Sequence, residues 1–81
     1  MTRFFFDFHD SRLPASRDDI GIILESLADA KHQAAVALVG YGAEVVGEFE
    51  DRQLRVTIRT DSWPVAEITC DISVNELAIP L

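Results

Sequence analysis

An 81-residue chain has room for one domain and one small core. Fourteen acidic against seven basic side chains leave a net charge of −7, carried as −2, −4 and −1 by residues 1–25, 26–51 and 52–81, so no segment attracts a phosphate backbone or an anionic bilayer. The single cysteine, Cys70, excludes an internal disulfide, the longest apolar run (Ala34 to Val39) falls far short of the ~20 residues a membrane span needs, and the N-terminus turns acidic at Asp7 where a signal peptide would be apolar; the chain is expected in the cytoplasm, with neither nucleic acid nor membrane as a partner.

In chain order, Phe4, Phe6 and Phe8 alternate with Phe5, Asp7 and His9, a period-two pattern that predicts a strand over residues 3–9 with the even aromatics toward the core. Turn formers and charges fill residues 10–19, a loop, and Gly21 introduces a short strand at Ile22-Ile23-Leu24. Ser26, with Asp29 three residues on, opens a helix that the alanine-rich, proline-free sequence carries from Leu27 to about Val46. Gly40 and Gly42 either bend it, end it early or allow a close packing contact. After an acidic connector, Leu54, Val56 and Ile58 alternate with Arg55, Thr57 and Arg59. Ala66, Ile68, Cys70 and Ile72 alternate with Glu67, Thr69 and Asp71, and Asp61-Ser62-Trp63-Pro64 between the two runs makes an antiparallel hairpin. Residues 73–81 show no assignable pattern. The order β-β-α-β-β predicts one α+β domain over residues 1–81, a small antiparallel-dominated sheet with one long helix packed on one face.

The helix carries two apolar stripes. At 100° per residue, Leu27, Ala30, Ala34, Leu38, Tyr41 and Val45 form the one that covers the sheet. Ala35, Val36, Val39, Ala43 and Val46 form a second, on the side where charge belongs. Small apolar residues there point to protein association, either with a second copy or with another protein; the competing expectation is that the tail, through Leu77, Ile79 and Leu81, folds back over this stripe. The runner-up function is a small-ligand or regulatory-sensor module using Asp7 and His9, which share a strand face beside Asp10. Two donors from one strand are too few for a metal, and a solvated face paired to Arg55 or Arg59 accounts for them as well. Arg55 and Arg59 themselves are expected to pair across the hairpin with Glu67 and Asp71, and Cys70 to fill core space. Gly40-Tyr41-Gly42 lies within the helix and so is not a phosphate loop. No nucleophile–base pair is legible, and no catalytic, cofactor-binding or metal-ligating residue is assigned.

The opening Arg3-Phe4-Phe5-Phe6-Asp7-Phe8-His9-Asp10, the turn Asp18-Asp19-Ile20-Gly21, and Leu24 followed by Leu27-Ala28-Asp29-Ala30 together resemble a family of small bacterial proteins grouped only as a domain of unknown function. Its pattern is R-[FY]-F-F-x-[FV]-x-D, then D-x-x-G, a short strand and an L-x-x-A helix. The resemblance covers about the first 35 residues well and the hairpin loosely, where Asp61-Ser62-Trp63-Pro64 lacks the family's usual glycine. It implies a fold plan and no activity.

Overall fold

Period-two alternation becomes three long strands and the alanine-rich stretch one helix. The computed structural model describes residues 1–78. β1 (Thr2–Asp10), β2 (Ile22–Leu24), α1 (Leu27–Val45), β3 (Arg52–Arg59) and β4 (Pro64–Ile72) follow in that order, with one 3-10 turn, Val46–Glu48, closing the helix. Ser26 caps α1: its hydroxyl accepts the Asp29 N–H at 3.2 Å, satisfying one of the donors that a helix start leaves open.

The strands form one antiparallel sheet ordered β2-β1-β3-β4. Phe6 lies opposite Ile58 and Phe8 opposite Val56, and Val56 in turn lies opposite Ile68. The even-numbered side chains of the three long strands therefore share one face, and α1 covers it. Ala30, Ala34, Leu38 and Val45 bury against Phe4, Leu54, Val56 and Ile58. Gly42 lies over the hairpin, where a Cβ would make ordinary contact at 3.6–3.9 Å with Leu54, Cys70 and Ile72. Cys70 is half-buried and packs against this core, as its alternation predicts.

Two expectations need correction. The first concerns Phe5. It does point away from the helix, yet it is as buried as Phe4 (9% against 5% exposed), whereas Phe6 and Phe8 are only half-buried. The loop after β1 folds back against the sheet, where Gly21 presses on the Phe5 ring, and the Arg59 guanidinium lies 4.5 Å from the ring centroid. The second concerns the arginines. Arg59 pairs with Asp7 on β1, on the opposite side from β4, and no ion pair joins Arg55 or Arg59 to Glu67 or Asp71 among the described residues. Register accounts for the Arg59 pair, since Arg59 lies opposite Phe5, within diagonal reach of Asp7, and opposite Pro64 on β4; Arg55 lies opposite Thr69 with Glu67 and Asp71 on its diagonals and pairs with neither.

Candidate functional site

The residues around Asp7 form the first polar cluster. Asp7 accepts the Asp18 N–H at 2.9 Å on one oxygen and Arg59 Nε at 2.7 Å on the other. Asp18 accepts the N–H groups of Ile20 and Gly21 on one oxygen and that of Phe6 on the other, all within 3.0 Å. Arg59 also donates to the Asp18 carbonyl at 2.6 Å. Burial works to raise the pKa of both carboxyls, but the arginine and the N–H donors outweigh it and hold both below the ordinary aspartate value. Gly21 has φ +75°, and a Cβ there would meet the Phe4 carbonyl at 2.8 Å. The turn Asp18–Gly21 thus has a physical meaning: an aspartate that gathers three main-chain donors, and a glycine that alone fits a left-handed, crowded position.

His9, the other half of the sequence-level ligand candidate, makes no side-chain hydrogen bond among the described residues. It lines a shallow depression of about 200 Å³ with Asp7, Ser16, Arg17, Arg55 and Thr57. Both Asp7 oxygens are already engaged by the loop and by Arg59, so the two candidates share a face without forming a donor pair.

Asp10 belongs to a different cluster, on the helix side. It is fully buried and accepts the Tyr41 hydroxyl at 2.6 Å, Arg52 Nη1 at 2.7 Å and the Arg12 N–H at 2.9 Å. Arg52, itself 8% exposed, donates its other terminal nitrogen to Glu48 at 2.5 Å. Burial alone would raise the Asp10 pKa; the phenol, the Arg12 N–H and the Arg52 charge together take it below the ordinary value. The same hydrogen bond to Asp10, with burial, pushes the Tyr41 phenol up. Sequence reasoning left this network out, although parity signals it. Asp10 continues the Phe4-Phe6-Phe8 face, Arg52 begins the Leu54-Val56-Ile58 face, and Tyr41 lies on the inward helix stripe. Three polar residues at inward positions are the mark of a buried, hydrogen-bonded set, and here only Arg52 Nε is left without a partner among the described residues.

Two apolar surfaces remain. Because α1 lies over β3 and β4, a cleft of about 290 Å³ opens beside it over the other half of the sheet, walled by Phe6, Phe8, Ile22, Ala34, Ala37 and Val56. On the outward side of α1, Val36, Val39 and Val46 are 60%, 66% and 47% exposed, next to exposed Ala43 and half-buried Ala35. Leu77 of the tail is exposed and does not cover them; Ile79 and Leu81 lie outside the described residues. Among the described residues no three His, Cys, Asp or Glu side chains are grouped to hold a metal ion, and no helix is long and apolar enough to cross a membrane.

Fold and site together define a small α+β domain whose charged clusters pin its own loop and strand ends. The chain belongs to the family described as a domain of unknown function, DUF6894, whose model matches residues 3–70. No curated protein and no solved structure gives a significant match.

Proposed function

We propose that the protein is an association module that assembles with copies of itself through the outward side of α1. The observation that carries this reading is the exposure of Val36, Val39 and Val46 along one helix flank, beside Ala35, Gly40 and Ala43, where a solvated helix places charge. Valine is a modest helix former and gains nothing on a wet face; buried in an interface, each such side chain contributes up to about 1.5–3 kcal/mol. A single core of this size is marginal by itself, and assembly is a standard remedy. The other polar features compete poorly for a role in binding, since Asp7, Asp10 and Asp18 already have partners within the chain.

Sedimentation velocity from about 1 to 100 µM chain tests the reading. Assembly above monomer mass is expected, and Val39→Glu is expected to return the protein to monomer with its circular dichroism unchanged. A monomer throughout the range overturns the proposal, as does a Val39→Glu variant that stays assembled.

A further inference from the structure

The mode of assembly follows from the free edge of the sheet, and this inference rests on the self-association reading. Main-chain directions can be traced from β1. The Phe6 N–H is bonded to Asp18, and the N–H and C=O of Phe8 to Ser16, all away from β3. Residues of an antiparallel strand bond alternately to one side and the other. Phe5, Asp7 and His9 therefore bond toward β3; Leu54, Val56 and Ile58 bond toward β4; and their register partners Cys70, Ile68 and Ala66 bond back to β3. Glu67, Thr69 and Asp71 are left with N–H and C=O groups pointing outward, and no described strand lies beyond them. Such an edge is a template for another chain.

The apolar helix stripe overhangs this same edge. Gly42 faces Leu54, Cys70 and Ile72, whereas Ala34 and Ala37 face Phe6, Phe8 and Ile22 over the other half of the sheet. At 100° per residue Ala35, Val46 and Val39 lie about 20°, 40° and 60° from Gly42, on the side away from Ala37. Strands are spaced about 4.8 Å apart, so a helix centred over β3 and β4 stands about 10 Å from its image across a two-fold axis just beyond β4. That is a helix-packing distance.

We propose that two copies pair antiparallel through β4 about a two-fold axis at Ile68, joining their sheets into one and setting the two Ala35-Val39-Val46 flanks face to face. Ile68 is the midpoint of Pro64–Ile72, and pairing about it is regular over Ala66–Cys70, since the register shift between Ile58 and Arg59 leaves Val65 out of the β3 ladder. It sets Glu67 opposite Thr69 and Ala66 opposite Cys70 of the second copy, with Asp71 beside the uncharged Val65. Centring on Glu67 stacks that acid on its own image, and centring on Thr69 sets Glu67 against Asp71, both unfavourable in a chain of net charge −7. Centring on Cys70 avoids the acids but sets Pro64–Glu67 opposite residues 73–76 of the second copy, which are not strand. Ile68, whose main chain is bonded to β3, forms a non-hydrogen-bonded pair with its image, with Cα atoms about 4.5 Å apart and side chains close.

That separation suits a disulfide. The variant Ile68→Cys in a Cys70→Ala background is expected to form a covalent dimer in near-complete yield under mild oxidation, while Trp63→Cys in the same background, outside the strand, does not. Thr69→Pro removes an outward N–H without touching the bonds to β3 and is expected to weaken dimerisation about tenfold or more. As a measurement needing no variant, hydrogen exchange on the native chain is expected to show the Glu67, Thr69 and Asp71 amides protected at 100 µM and exchanging at dilutions where the protein is monomeric. A monomer at every concentration overturns both the assembly reading and this register. An assembly that Val39→Glu dissolves, but in which the three amides exchange freely and Ile68→Cys does not cross-link, retains the assembly reading and overturns the β4 register.

Discussion

Replacing Asp10 with alanine removes the principal counter-ion of a buried arginine. Asp10 is fully buried, and the Arg52 side chain is 8% exposed, with their charged atoms 2.7 Å apart. Breaking a pair of this kind from one side costs about 3–5 kcal/mol, mostly because the surviving charge stays buried. Glu48 still holds the second terminal nitrogen of Arg52, which points to the lower end, about 3 kcal/mol. The Tyr41 hydroxyl and the Arg12 N–H lose their acceptor in the same step. Against a total stability of about 4–12 kcal/mol for a chain this long, that is a large fraction. It corresponds to a fall of about 15 °C in Tm. Urea unfolding followed by far-ultraviolet circular dichroism is the suitable assay, since Trp63 is 72% exposed and reports poorly on the core. The double variant Asp10→Leu/Arg52→Met removes both charges and is expected to recover at least half of the loss, because the penalty lies in the orphaned charge and not in the absence of the pair. A loss below about 1 kcal/mol for Asp10→Ala, or a double variant no better than the single, refutes the reasoning.

Gly21→Ala is expected to lower stability by about 2 kcal/mol or more in the same urea assay, since φ +75° and the Phe4 carbonyl both oppose a Cβ. Phe5→Ala is expected to cost about as much as Phe6→Ala, about 3 kcal/mol, when the two are compared by urea unfolding at concentrations where the chain is monomeric. Asp7, Asp10 and Asp18 have folded-state pKa values below the ordinary 3.8, so their contribution is complete above that value and is lost as pH falls through the lower folded values. Urea midpoints are therefore expected to be flat from about pH 7 to 5 and to drop steeply below about pH 4, with a shallower drop in Asp10→Asn. Phe49 sits exposed at φ 55°, a strained position for an aromatic residue, and Phe49→Gly is expected to leave Tm unchanged or raise it.

Local pattern carried much of this protein. Period-two alternation placed β1, β3 and β4 within two residues of their ends, Ser26 marked the helix start, and the spacing of Ala30, Ala34, Leu38 and Val45 identified the buried helix face. These features are legible because they depend on neighbours within one turn or one pleat. The second helix stripe was legible for the same reason, but its exposure was not: whether a valine flank is covered depends on where the rest of the chain goes. The burial of Phe5 was illegible likewise, since the loop that covers it meets the sheet through Asp18 and Arg59, and those partners are 41 residues apart. Asp10 and Arg52, 42 residues apart, read singly as surface charges. Parity puts each on the inward face of its own strand, but only antiparallel pairing of β1 with β3 brings them to the same end of the sheet, where α1 brings Tyr41 to meet them. Side-chain periodicity is a property of one segment, whereas partnership between charges is a property of register. Register is decided when the whole sheet forms and each buried polar group has to find its partner.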